Sequence, residues 1–396
     1  MKISAPWLHD QAAQRVCTLL TYAGYQAWFV GGCVRNTLIG VPVTDLDITT
    51  DAHPGQVVAL AEAAGLKVVP TGIEHGTVSV IVEGRAHEVT TLRRDVQTDG
   101  RHAVVAFADD PAEDARRRDF TINALYAAPD GTLLDPLGGL ADLEARRVRF
   151  IHDADARIRE DYLRILRFFR FYAWYGDPAQ GIDAEGLAAC AANLDGIDQI
   201  SRERVGAEMR KLLQAPDPAP AVAAMAAAGV LRAVLPGADR GHLAVLVHIE
   251  AKAQLQSAWL RRLAVLGGQD AAAVLRLSKA ETAQLARLVA AMQSDAGADE
   301  LGYLLGAQSA MDALALRAAF GGPLIDHEML ARTAAAAAQV CPLTAADLMP
   351  SLQGAALGEA LRNAEARWVR SGFALTREAL LAEILSPGGD RFISLR

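Results

Sequence analysis

The sequence predicts an α+β chain: a small mixed sheet with helices over the first 150 of 396 residues, then helices alone. Two observations carry this. Short apolar runs rich in β-branched residues recur up to residue 128 and then stop. After residue 150 the apolar positions fall at helical spacing in Ala/Leu-rich stretches cut by glycine and proline. A chain of this length exceeds one comfortable core, so more than one domain is expected.

Strands are expected at "AWFV" (27–30), "LDITT" (46–50), "LKVVP" (66–70), "TVSVIV" (77–82), "HEVTTL" (87–92) and "LYAA" (125–128). A short helix near Cys33–Ile39 and a longer one near Gly55–Ala64 lie between them, on one side of the sheet. Breaks at "YGDPAQG", "QAPDPAP", "VLPGADRG", "LGGQD" and "FGGPL" cut the remainder into roughly eight to ten helices. Of these, "QAPDPAP" (214–220) is the best linker. The expected domains are residues 1–150, 151–215 and 216–396.

Apolar residues make up 52% of the chain, but no uninterrupted apolar run reaches the 18 of a membrane helix. The N-terminal "MKISAPWLHDQAAQRV" has no apolar signal-peptide core, so a cytoplasmic protein is expected. Four scattered cysteines, Cys17, Cys33, Cys190 and Cys341, suit reduced thiols rather than a structural zinc. The net charge of −8 argues against a protein coated in positive charge. Distribution matters more: 34 of the 39 basic residues are Arg, and residues 85–170 hold 15 Arg against 16 Asp plus Glu. Arginine suits bidentate recognition of phosphates and bases, although a GC-rich genome would give the same bias.

The chemistry begins with "GGCVRNTLIGVPVTDLDITT" (31–50). A strand entering Gly31-Gly32 and then a helix offers unpaired amides to an anion, beside Arg35. Asp45 and Asp47, two residues apart on a strand read as buried, leave the same face, and two like charges held together suit a divalent metal. Phosphate cradle and metal carboxylates are the two halves of a nucleotidyl-transfer site. Glu88 in "HEVTTLRRD" is the candidate third carboxylate, or else an edge-strand residue paired with Arg85 or Arg93. In "DARRRDFTINAL" (114–125) three arginines abut an apolar run, so at least one must point inward; Arg118 is the choice, as a contact to triphosphate or ribose.

The stretch "REDYLRILRFFRFYAW" (159–174) repeats Asp161, Arg164, Arg167 and Arg170 every third residue among apolar ones. As one helix this is an inclined polar ridge, costly to bury without ligands. Asp161 and Arg164, one turn apart, suit a base: carboxylate to an exocyclic amine, guanidinium to ring acceptors. The competing reading is a structural ion-pair network. Glu203, Arg204 and Glu208 are read as supports for this helix.

Together "GGCVRN…G…DLD", "GIEHGTVSV", "RRDFTINAL", "DPLGGLADL" and "EDYLRILRFFRF", over residues 25–215, resemble the class II tRNA nucleotidyltransferase and bacterial poly(A) polymerase family. The resemblance implies a polymerase-β-like head, a neck carrying a nucleotide-reading helix, and an all-α body and tail. It implies template-independent addition of CCA to the tRNA 3′ end from CTP and ATP, with GTP and UTP rejected. Asp45 and Asp47 fall at the metal-binding pair, for two Mg²⁺ ions. Gly32, Arg35 and Arg118 fall at nucleotide contacts, and Asp161, Arg164, Arg167 and Arg170 at the reading helix. Residues 93–110 resemble a flexible loop needed for the final adenosine. Asn36 stands where the family usually has Asp; it keeps a supporting hydrogen bond and lacks the charge.

A poly(A) polymerase shares most of these motifs, but the acidic balance and lack of a basic tail favour CCA addition. A non-catalytic RNA-binding protein on the same scaffold would not need both aspartates and the reading helix. The implied partner is tRNA, held by neck, body and tail helices with Arg261, Arg262, Arg367 and Arg370 as possible contributors. No membrane association and no stable protein partner are expected.

Overall fold

The computed structural model describes residues 1–99, 102–349 and 351–385. The chain divides into two compact units, Met1–Ala238 with Gly268–Arg276, and Asp239–Gly267 with Leu277–Arg396. This division coincides with neither the 150/151 nor the 215/216 boundary expected above. "QAPDPAP" lies inside the first unit, where Ala215 is fully buried and seals the turn between two helices instead of linking domains.

The first unit opens with α1 (Gln11–Tyr22), whose Asp10 caps the N–H of Ala13 at 2.9 Å. It buries Ala12, Ala13, Val16, Cys17 and Leu20, one face at helical spacing. Then come β1 (Ala27–Val30), α2 (Gly32–Leu38), β2 (Asp47–Thr50), α3 (Pro54–Ala63), β3 (Lys67–Gly72), β4 (Thr77–Val82) and β5 (Arg85–Thr91). The hairpin β6 (Arg93–Asp99) and β7 (His102–Phe107) precedes α4 (Pro111–Arg116), β8 (Tyr126–Ala127), β9 (Leu133–Leu134) and α5 (Gly139–Glu144). Among the described residues seven strands form one sheet in the order β3-β4-β5-β2-β1-β8-β9, and β6 and β7 form a separate two-stranded sheet. Thus part of the stretch expected as a loop is an antiparallel hairpin; residues 100 and 101 lie outside the described residues.

Within the sheet β2 pairs antiparallel with β1 and parallel with β5, in the register Asp47↔Glu88 and Thr49↔Thr90. β5 alternates, burying His87, Val89 and Thr91 and exposing Ala86 and Glu88. α1 and α3 touch each other and both pack on β4 and β5.

Beyond the sheet the first unit continues through α6 (Ala154–Glu160), α7 (Leu163–Tyr175), α8 (Ala184–Ala192), α9 (Arg202–Leu213), α10 (Ala219–Ala227) and α11 (Val230–Val234). The single helix expected over 159–174 is two. Asp161 breaks it in an extended conformation (φ −154°, ψ 104°), its carboxylate accepting the Leu163 N–H at 3.2 Å. Tyr162 occupies the break with its ring against Gly196, where an added Cβ would stand 2.0 Å from a ring carbon. An aromatic cluster fastens α7 to the end of the sheet region: Phe120 lies 5.0 Å from Phe150 and 5.1 Å from Phe171, and Phe150 stacks on Phe168 at 5.2 Å.

The second unit holds α12 (Leu243–Lys252) and α13 (Trp259–Leu266); α14 (Ala271–Val274) belongs to the first unit. It continues with α15 (Lys279–Gln293), α16 (Ala298–Leu305), α17 (Ala307–Ala319), α18 (His327–Ala337), α19 (Ala345–Leu348), α20 (Gly354–Arg370) and α21 (Arg377–Leu385). Sixteen helices therefore follow residue 150 among the described residues, more than the eight to ten expected. The extra ones include four-residue turns such as α14, which follows directly on the break at "LGGQD", and α19, begun at Thr344. Arg261 and Arg262 are fully buried: Arg261 donates to Glu250 at 2.8 Å and Asp312 at 2.5 Å, and Arg262 to Glu250 at 2.7 Å. They are interior ion pairs, neither RNA contacts nor solvated side chains. Arg367 and Arg370 are exposed, Arg367 facing Glu383 at 2.6 Å. The four cysteines are free, and no helix of the described residues is long and apolar enough to cross a membrane.

Candidate active site

The site is built at the N-terminal end of β2. Asp47 is its first residue and Asp45 sits on the loop before it; both are exposed. The buried strand expected under both carboxylates therefore starts only at Asp47, because Pro42 and the glycine turn at Gly40 keep the chain out of the ladder until then. Glu88 stands opposite Asp47 on the central strand β5, so it is not an edge residue.

Partial burial lifts the Asp47 carboxyl above its ordinary value; the Arg118 guanidinium pulls it back, and Glu88 and Asp45 push it up again. Among the described residues no three His, Cys, Asp or Glu side chains come together as a closed metal cage; Glu88 adds its charge beside Asp47. Open, solvent-facing carboxylates with one site edge left to a substrate fit Mg²⁺, which binds through one or two carboxylates plus phosphate oxygens and keeps several waters.

Gly31 leads β1 into α2 with φ 74°, a left-handed conformation that glycine adopts without strain. Its own N–H is spent on the Leu125 carbonyl at 3.1 Å, so the turn offers fewer free amides than expected, Gly32 opening the helix behind it. The positive charge over the turn is Arg118: its Nη1 lies 3.6 Å from where a Gly31 Cβ would stand. Nε and Nη2 of Arg118 donate to Asp114 at 3.1 and 2.9 Å, and Nε also reaches the Tyr126 hydroxyl at 3.2 Å. Asp114 accepts from Arg117 as well, at 2.6 Å. Burial by itself would raise the Asp114 carboxyl, but Arg118 and Arg117 outweigh it and hold it down to about 2. Arg118 thus points inward with one nitrogen aimed at the turn.

Arg35 is not placed as a free nucleotide contact. It is buried, donating to Asn36 at 3.1 and 2.9 Å, to Asn123, and to the Tyr175 hydroxyl at 2.8 Å, with its guanidinium 4.0 Å over the Tyr175 ring. It clamps α2 to the end of α7. Asn36 uses its carbonyl for Arg35, not for a backbone N–H, and donates its amide to the Pro42 carbonyl at 3.0 Å.

On and beside α7 the polar ridge is half-buried and ion-paired. Arg204 holds Asp161 at 2.6 Å and Arg170 meets Glu208 at 2.5 Å, the supports expected of α9. Glu203 is no support; it faces Arg276 at the surface. Arg164 pairs with Glu160 at 2.5 Å rather than with Asp161, and Arg167 donates through Nε to Asp119 at 2.8 Å. Arg157 pairs with Glu160 and donates to the Arg118 carbonyl at 2.7 Å, tying α6 to the arginine over the turn. Seven guanidiniums in this network (Arg117, Arg118, Arg157, Arg164, Arg167, Arg170 and Arg204) share five carboxylates (Asp114, Asp119, Glu160, Asp161 and Glu208), a surplus of two positive charges beside the acidic group of Asp45, Asp47 and Glu88. Such a surplus suits a polyanion. Asp114, Asp119, Asn123, Arg157 and Tyr175 were missed from sequence; the signal available was their place in or beside "DARRRDFTIN" and the arginine ridge.

Residues 27–149 match the poly A polymerase head domain, and residues 181–241 the probable RNA and SrmB-binding site of polymerase A. The chain is 37% identical over 341 residues to a CCA-adding enzyme of Geobacillus thermodenitrificans, covering 82% of each. The chain belongs to the CCA-adding enzyme family. Within that family it is 42% identical over 217 residues to the mitochondrial CCA tRNA nucleotidyltransferase 1 of Mus musculus, a match spanning 54% of this chain and about half (50%) of that relative's length. The crystal structure of the Bacillus stearothermophilus CCA-adding enzyme in complex with CTP superposes with a TM-score of 0.75 at 28% identity, over 98% of this chain and 99% of that one. The fold is the family's: a small-sheet head followed by helices.

Proposed function

We propose that this chain adds CCA to the 3′ end of tRNA, taking CTP and ATP and releasing pyrophosphate. The observation that carries the reading is Arg118, whose Nη1 lies over the Gly31 turn while its charge acts on Asp47 at the solvent-open end of β2. Asp45 and Asp47 would hold Mg²⁺, which when bound supplies a lowered pKa for the RNA 3′-hydroxyl and charge neutralisation at the triphosphate. Arg118 orients the triphosphate through its free nitrogen while Asp114 fixes the other two. Asp161 and Arg164, at the start of α7, read the base edge. The relatives' names and complexes support the same substrates: one is bound to CTP, and those named act on tRNA.

The reading divides the chain by role into a catalytic head (1–150), a neck with the reading helix (151–215) and a tRNA-holding body and tail (216–396). It places the protein in the cytoplasm, although the mouse relative is mitochondrial. Incubating the protein with tRNA lacking its terminus, with CTP and ATP separately and together, and sequencing the product ends tests it. CTP alone should stop after two cytidines and both nucleotides should give CCA. Runs of A from ATP alone would instead establish a poly(A) polymerase, and no incorporation a non-catalytic scaffold.

A further inference from the structure

We propose that Asn36 is a positioning residue that, through Arg35 and Asn123, holds the loop bearing Asp45 in register with Arg167 on α7; the inference rests on the nucleotidyl-transfer reading above. An arginine side chain offers only donors, so any amide beside it must turn its oxygen inward and its NH₂ outward. Arg35 sits between two such amides. It donates to the side-chain oxygen of Asn36 on one side and of Asn123 on the other.

Both outward NH₂ groups are used. That of Asn36 donates to the Pro42 carbonyl at 3.0 Å, and that of Asn123 to Oδ1 of Asp119 at 2.9 Å. The second oxygen of Asp119 accepts Nε of Arg167 at 2.8 Å. An unbroken run of hydrogen bonds therefore leads from Pro42, three residues before Asp45, to the arginine ridge. The main-chain carbonyl of Asn36 adds a second hold, independent of its side chain, accepting the Val41 N–H at 2.9 Å across the left-handed Gly40. Among the described residues no other hydrogen bond ties residues 42–45 to the rest of the chain; Thr44 bonds only its neighbour Asp45.

A carboxylate at position 36 would bind Arg35 more strongly but has no proton for Pro42, and its oxygen would face that carbonyl. The amide gives up charge on Arg35 in exchange for a tether on the metal-bearing loop. Nucleotide selection at α7 and placement of Asp45 then respond together.

The test compares wild type with Asn36→Asp. Mn²⁺ binding is titrated by electron paramagnetic resonance with a CTP analogue that cannot be incorporated, and CTP-over-UTP preference is measured as a ratio of kcat/KM. Loss of one tether should weaken Mn²⁺ binding about fivefold, the worth of an ordinary hydrogen bond, and lower the preference in the same variant. Wild-type values for both, a shift in only one of them, or a lowered melting temperature alone overturns the proposal. Should N36D not fold, Asn36→Ala removes the same donor without adding charge and is judged by the same outcomes. Wild type that binds Mn²⁺ but incorporates neither nucleotide overturns the parent reading and the coupling with it.

Discussion

Asp47 and Glu88 stand opposite each other on the parallel strands β2 and β5, two carboxylates in register on one face of the sheet. With Asp45 on the adjoining loop, they make the end of β2 a concentration of negative charge, and Arg118 opposes it at Asp47. Such an arrangement opposes folding and serves binding.

The first expectation follows from the sign of that repulsion. The Asp47 carboxyl titrates above its ordinary value, so the native state takes up this proton more readily than the unfolded chain, and the charged form disfavours folding at neutral pH. Asp47→Asn should therefore leave the melting temperature at pH 7 unchanged or higher while abolishing nucleotide incorporation. Calorimetry paired with the incorporation assay checks both, and a clear fall in melting temperature would contradict the assignment.

Asp114 should behave in the opposite way. It is completely buried, and Arg118 and Arg117 hold its carboxyl at about 2, below its ordinary 3.8. Its contribution is present above the unfolded value and is lost as pH falls from 3.8 toward about 2. Asp114→Ala strands two guanidiniums and should cost about 3–5 kcal/mol in urea denaturation at pH 7. Asp114→Asn should retain more of the fold yet raise KM for the nucleotide, because Arg118 loses its orientation.

Selection at α7 gives the third test. Arg204 holds one oxygen of Asp161, and the Leu163 N–H holds the other. Arg204→Ala should release the carboxylate and reduce discrimination between CTP and UTP by about tenfold, close to 1.4 kcal/mol. Competition kinetics on tRNA lacking its end would show it; an unchanged ratio in both R204A and Asp161→Ala would remove α7 from base selection.

In the second unit, Arg261 offers a control. Its guanidinium is fully buried between Glu250 and Asp312, so Arg261→Ala leaves acidic charge uncompensated and should destabilise by about 3–5 kcal/mol. At a temperature where the variant is folded, the salt dependence of tRNA binding should match wild type, since the residue reaches no phosphate. A reduced salt slope would place it at the RNA after all.

Much of the sheet was legible because its strands are local runs. "AWFV" and "TVSVIV" became β1 and β4 at the predicted residues, and the helices after Gly31 and near Gly55 lie within a residue of their expected bounds. α1 went unread although Asp10 and the apolar residues at 12, 13, 16, 17 and 20 spell a capped amphipathic helix. β6 and β7 carry a shape that the resemblance alone pointed away from, since a hairpin's pairing is a property of two segments rather than one.

By itself the sequence determined which residue types gather for this chemistry: paired acids two apart, a glycine turn, and a ridge of arginines every third position. Those are properties of spacing, and spacing survives into structure as a shared face. Tertiary structure alone decided each arginine's partner. Arg35 became an interior clamp, Arg118 turned toward the glycine turn, the ridge broke at Asp161 where Tyr162 meets Gly196, and Arg261 with Arg262 went inside. A guanidinium on a long flexible stem takes whichever carboxylate the packed backbone brings within reach, and that distance is set between segments far apart in the chain.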